Sequence, residues 1–227
     1  MFLLYLYIFY TAHPSHADTV LVIDTSAAAT AFVNSSKDDG TIHDYDHIIS
    51  ELTIHRASYD HDEKTTNYKW LGGSIGADGN IYCPACDTSA LLKINPTTDY
   101  CETFGYAGTE KNKWQGGILS TRDDCIYCIP ANGIHVCRIY TGNNTNQKKN
   151  DDNVNNDVTS TSATPVQLIG DLSDHKDKWQ GASMGEDGAL YFIPENGYRV
   201  MKVTPPPTPP VIIDGKLPDG DVKIELI

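Results

Sequence analysis

The sequence predicts an all-β chain built from repeated units of four short antiparallel strands. Three observations carry that reading. A Lys-Trp segment followed by a small-residue pair recurs at Lys69-Trp70-Leu71-Gly72-Gly73, Lys113-Trp114-Gln115-Gly116-Gly117 and Lys178-Trp179-Gln180-Gly181-Ala182. Each copy leads through an acidic turn (Asp78-Gly79, Asp123-Asp124, Asp187-Gly188) to an apolar-Tyr pair (Ile81-Tyr82, Ile126-Tyr127, Leu190-Tyr191), and from each tyrosine it is 12 residues to Ile94, Ile139 or Val203. No stretch sustains the 3.6-residue apolar period of a helix.

Taken in order, the chain opens with a nine-residue apolar run, Phe2 to Tyr10, and the small-x-small triplet Ser15-His16-Ala17. Residues 1–17 therefore read either as a short secretory signal peptide or as a first strand. Residues 18–227 read as one repeat domain. Within it, Val20-Leu21-Val22-Ile23-Asp24 matches the closing strand of the later units, so a partial unit precedes the three full ones. In the first full unit the expected strands are 70–77, 80–83, 91–94 and 100–104. The Asp-Gly between the first two signals a hairpin with a type I′ turn.

The tryptophans set the period: 44 residues from Trp70 to Trp114 and 65 from Trp114 to Trp179. The longer interval contains 143–162, an Asn/Asp/Lys/Thr tract too polar to offset its ordering entropy. Without it the two intervals agree. A second polar insertion is expected at about 34–65. At the far end, residues 221–227 alternate as a strand, which would close a fourth unit if it paired with residues 2–33.

Four antiparallel strands every 40–50 residues are the signature of propeller blades. The motifs Lys-Trp-x-Gly-Gly, Asp-Gly-x-Ile-Tyr and Val-Leu-x-Ile-Asp resemble the blades of the NHL-, YVTN- and gluconolactonase-like β-propeller superfamily, over roughly residues 11–33 and 66–215. The resemblance implies about three full blades plus partial ones, arranged as a closed four-bladed ring or as a truncated propeller. It is specific for architecture and not for activity, because this fold hosts many functions.

Composition narrows the functions. With 17 Lys+Arg against 30 Asp+Glu the net charge is −13. That disfavours binding to nucleic acid, which needs clustered cations. No stretch approaches the ~20 apolar residues that span a bilayer, so membrane insertion is not expected. The sequons at Asn34 and Asn143 suit a secreted chain, and a secreted location is preferred to a cytoplasmic one. Cys83/Cys86 and Cys125/Cys128 have zinc-knuckle spacing. However, Cys83 and Cys128 align with Phe192, so the six cysteines read as buried free thiols ahead of disulfides or zinc. His43-Asp44-Tyr45-Asp46-His47 and Asp60-His61-Asp62-Glu63 carry ligand-type side chains but read as a solvated acidic loop.

The candidate ligand-binding residues are Lys69, Trp70, Lys113, Trp114, Lys178 and Trp179. In a propeller the loops that carry them open on one face with Asn132 and Asn196. Aromatic rings beside amide and ammonium donors suit a sugar or a protein segment. The same tryptophans also suit simple packing between blades, with the lysine stems lying over the rings. The sequence therefore favours a non-catalytic binding module for a carbohydrate or protein partner, with no catalytic residues, no metal ligands and no cofactor. Its alternative is the metal-dependent hydrolase that the gluconolactonase resemblance implies, with a divalent cation held by Asp87, Asn132 and Asn196.

Overall fold

The computed structural model describes residues 5–8, 19–24, 49–55, 68–142 and 164–227, and their only regular secondary structure is strand. In chain order the strands are β1 (Tyr5–Ile8), β2 (Thr19–Asp24), β3 (Ile49–His55), β4 (Ser74–Ile75), β5 (Ile81–Cys83), β6 (Ala90–Asn95), β7 (Tyr100–Tyr106), β8 (Trp114–Ser120), β9 (Cys125–Pro130), β10 (Val136–Tyr140), β11 (Val166–Ile169), β12 (Trp179–Met184), β13 (Leu190–Pro194), β14 (Met201–Thr204) and β15 (Lys223–Leu226). Three antiparallel meanders follow from the three repeats: β4–β7, β8–β11 and β12–β15. These are the first, second and third blades.

The conserved spacing within each copy is a register. Tyr82 lies opposite Lys93, Tyr127 opposite Arg138 and Tyr191 opposite Lys202 on the paired strands. Alternate residues of each strand face opposite sides of the sheet, and the blades stack by burying both. Trp114, Ile126, Cys128, Cys137 and Ile139 of the second blade pack against Tyr82, Leu91 and Phe104 of the first. The other side of the second blade, with Cys125, Tyr127, Ile129, Val136 and Tyr140, packs against Trp179, Leu190, Phe192, Met201 and Val203 of the third. All six cysteines are free and buried in these layers.

Two glycines of the repeated motif have a backbone task. Gly116 (φ +82°) sits at the irregularity where β8 slips against β9 between Trp114 and Gly117. This is the bulge geometry that glycine supplies most readily. A Cβ on Gly72 (φ +70°) would lie 3.0 Å from the Gly116 Cα, because the inner strands of neighbouring blades converge there. The bulge also shortens the first inner strand: only Ser74–Ile75 ladders continuously, and Trp70 bridges separately to Ala85.

Three expectations change. The acidic turns are not type I′ hairpins, which need positive φ at both central residues. Only Gly79, Asp124 and Gly188 adopt it, because the preceding aspartate is held by its own side chain. Asp78 accepts from the Asn80 N–H (3.1 Å) and the Tyr82 hydroxyl (2.8 Å). The C-terminal strand does not close a fourth blade with the N-terminus: β15 pairs with β14, Lys202 opposite Glu225, as the outer strand of the third blade. Its alternation marked it as a strand but left its partner open.

Finally, the 34–65 region contains a strand. β3 pairs with β2 and, in parallel through Ile54 and His55, with β7, because Leu52 and Ile54 supply an apolar side to the Trp70 cluster. Val20–Asp24, expected as a closing strand, lies in the middle of the β1–β2–β3 ladder. Both His/Asp-rich motifs, 1–4 and 9–17 of the possible signal segment, and 143–162 lie outside the described residues.

The second blade holds an ion pair in its interior. Arg138 donates to Asp123 at 2.9 Å with both side chains fully buried, and to Asp221 at 2.8 Å from the segment linking β14 to β15. Removing one partner strands a buried charge. Arg138→Leu is thus expected to lower unfolding free energy by about 3–5 kcal/mol. Lys93→Leu, at the matching half-buried position of the first blade, is expected to lose far less in the same urea titration.

Candidate functional site

The face of interest is formed by the loops that enter each inner strand and those between the second and third strands. The repeated lysine enters it from the residue before the bulged strand. Lys113 Nζ donates to the carbonyls of Cys86 (3.1 Å), Thr88 (2.8 Å) and Glu110 (2.6 Å), and Lys178 Nζ to those of Ala131 (3.0 Å) and His175 (3.0 Å). Cys86 and Ala131 belong to the preceding blade, so each ammonium ties one blade to the last. Lys69, Lys113 and Lys178 are all buried. Burial, first among the causes, lowers the Lys178 pKa from its ordinary value.

The tryptophans are buried beside them. Each indole N–H closes on a carbonyl of its own blade: Trp70 on Ala90 (2.9 Å), Trp114 on His135 (2.9 Å) and Trp179 on Arg199 (3.0 Å). The Lys113 ammonium lies 5.9 Å from the Trp114 ring centre. A buried indole needs such an acceptor.

Asn132 accepts the Asp177 N–H through its side-chain oxygen (2.8 Å), as Asp87 accepts that of Asn112 (2.8 Å), again across blades. Asn196 is exposed; its own N–H donates to the Asp177 carbonyl (2.9 Å). The expected residues therefore do meet on one face, where the lysines, the tryptophans and Asn132 form joints within and between blades. Because the side-chain oxygens of Asp87 and Asn132 are engaged by backbone N–H groups, they fit those joints better than cation coordination. Among the described residues no group of three or more His, Cys, Asp or Glu side chains gathers as a metal site would.

Two residue sets were not legible from the Lys-Trp motif. The first is a polar unit repeated in every blade: aspartate, tyrosine four residues later, and a cation 11 residues beyond that. The hydroxyls of Tyr82, Tyr127 and Tyr191 donate to Asp78 (2.8 Å), Asp123 (2.7 Å) and Asp187 (2.9 Å). Lys93, Arg138 and Lys202 lie 5.7, 5.8 and 5.2 Å from the ring centres. Burial and the neighbouring aspartate push the Tyr82 and Tyr127 hydroxyls far above their ordinary pKa, which keeps them protonated donors. The Asp-x-x-x-Tyr spacing was visible in the sequence; its pairing across strands was not.

The second set lines a cleft of about 160 Å³ in the third blade, bounded by His175, Lys178, Trp179, Tyr198, Arg199 and Leu226. The His175 ring stands edge-on to Tyr198, centroids 6.1 Å apart, and its Nδ1 meets the Ser173 hydroxyl at 3.0 Å. Tyr198 is 91% exposed. The cleft thus has an aromatic rim, a permanent guanidinium charge and a histidine, over a buried indole. A larger hollow of about 390 Å³ at the outer strands, beside Phe104 and Val166, has no charged side chain in its lining.

No protein-family model and no curated protein sequence matches the chain. Among solved structures it is similar to a streptogramin B lyase, with TM-score 0.51 and 12% identity, covering 92% of this chain and 48% of that one. It is also similar to selenomethionine-substituted virginiamycin B lyase from Staphylococcus aureus, with TM-score 0.51 and 13% identity, covering 98% of this chain and 52% of that one. At these identities the likeness shows the fold, a β-propeller-type array of blades. The chain spans about half the length of the structures it matches.

Two expected outcomes follow from the burial of these groups. Lys113→Met orphans three carbonyls and is expected to cost roughly 3 kcal/mol or more of stability; Trp114→Ala is expected to cost about 3–5 kcal/mol. Both are read by urea denaturation. Burial also pushes the Cys86 and Cys101 thiols up to about 11. From roughly pH 8.5, the ordinary thiol value, towards 11, the unfolded chain ionises while the folded one keeps its protons. Stability is therefore expected to be full below that range and to fall across it. At neutral pH, alkylation of the native thiols should be slow until denaturant is added.

Proposed function

We propose that the chain is a non-catalytic propeller-type binding module that holds a glycan or a protein segment in the cleft above Trp179. The observation that carries this reading is Tyr198, almost fully exposed at the cleft rim beside Arg199. An exposed ring on a short loop offers a flat face at little conformational cost, and a guanidinium beside it recognises hydroxyls or carboxylates through fixed planar donors. A small concave site with few polar groups is the ordinary form of a ligand pocket.

The similarity to two lyases supports the scaffold and leaves the chemistry to residues. In the cleft, Ser173 and His175 share a hydrogen bond, but no carboxylate orients the ring from the cleft lining. Nucleophile activation of the triad kind rests on such a third group. The lysines and Asn132 support this function indirectly, by fixing the loops that shape the cleft.

A glycan array and a peptide array probed with the full chain, followed by titration calorimetry on the hits, test the proposal. Tyr198→Ala and Arg199→Ala are each expected to weaken binding at least tenfold, about 1.4 kcal/mol, without moving the urea midpoint. Failure of both arrays, or turnover of a bound ligand by the purified chain, would overturn it.

A further inference from the structure

The three blades share a design but differ in what covers the face each turns to its successor. In the first and second blades the Asp-Tyr-cation unit lies on that face, and Tyr82 and Tyr127 are buried beneath the next blade. In the third blade the same unit is intact, with Lys202 Nζ 2.8 Å from Asp187, yet it opens to solvent. Ile193 occupies the position of Ile129 and is 49% exposed against 5%.

The polar joints follow the same pattern. Glu195 stands where the carbonyls of Cys86 and Ala131 receive the next blade's lysine, and Asn196 where Asp87 and Asn132 receive its N–H. Both are exposed, and among the described residues no lysine or N–H arrives from a following blade. The third blade thus presents an inter-blade surface of the same construction as the two filled ones.

We propose that this surface binds a second copy of the chain, head to tail, with the partner's leading β1–β2–β3 sheet in the place of the next blade. Continuity sets the direction: both filled interfaces join the back of one blade to the front of the next. Length sets the number. The chain covers 48% and 52% of the two structures it resembles, so two copies supply the blade complement of one such chain. Three full blades and one partial blade per copy place the pair within the usual range of four to eight blades, or at its upper end. A heterologous contact that closes after two copies forms a ring with two equal interfaces. The Lys202–Asp187 pair and the Tyr191 hydroxyl already satisfy one another, so covering them strands no lone charge, as for Arg138 and Asp123 in the filled interface.

Sedimentation equilibrium on the full chain tests this, with an expected mass of twice 24.9 kDa. Ile193→Glu is expected to weaken self-association at least tenfold, and Lys202→Glu, which sets two carboxylates together, to do likewise. Far-UV circular dichroism of both should remain that of the parent. Tyr198→Ala and Arg199→Ala should stay dimeric, which separates this surface from the ligand cleft. A monomer up to 100 µM would overturn the proposal. So would a dimer indifferent to Ile193→Glu, an unlimited series of oligomers, or a disulfide dimer formed through position 193 in Ile193→Cys, since that requires a back-to-back contact.

Discussion

The stacking of blades depends on an ammonium group held away from water. A lysine at the head of an inner strand pays a desolvation penalty on burial, and only closely placed acceptors offset it. Lys113 meets three carbonyls at 2.6 to 3.1 Å, two of them from the previous blade. The requirement runs both ways: a blade displaced by an ångström would leave both the cation and the carbonyls unsatisfied. This makes the blade-to-blade distance a tightly defined quantity. The adjacent indole fills the space beneath, and its N–H is met by its own blade.

The Asp-Tyr-cation unit works on the opposite edge of each blade and shows how setting decides the outcome of one chemical pattern. In the second blade the unit is sealed, with Arg138 and Asp123 fully buried and Asp221 reaching in from the C-terminal segment. In the third it is open, and the hydrogen bond from Lys202 holds the Asp187 carboxyl down at about 2. Both units fix a tyrosine hydroxyl and brace the acidic turn. The sealed one also holds two blades and the β14–β15 connection together. The connection brings Gln167 against Pro218 and Asp219, so the third blade is tied to the second from outside as well as through its core.

These joints explain how an acidic chain carries cations at its structural centres. The lysines of the repeat are consumed by backbone carbonyls, while Arg199 remains at the surface beside Tyr198. The division is a consequence of position within the blade. A cation at the head of the inner strand points into the next interface, whereas one at the tip of the loop between second and third strands points outward.

Much of the fold was legible in the sequence. The recurrence of Lys-Trp, the acidic turn and the 12-residue interval is local information, and it fixes strand order, register and the four-stranded unit because neighbouring strands in a meander find each other through short turns. The tertiary structure decided what depends on long-range pairing. A seven-residue alternation such as Asp221–Ile227 is equally suited to any open edge, and only the approach of β14 chose its partner. Likewise, a lysine beside a tryptophan reads the same whether it awaits a ligand or a carbonyl; the carbonyls of Cys86 and Ala131 lie 27 and 47 residues away along the chain. The cleft is assembled from His175, Tyr198 and Leu226, which share no motif. Sequence determined the repeating element, because its contacts are near in the chain. Tertiary structure decided burial and site, because both depend on which distant backbone atoms arrive beside a side chain.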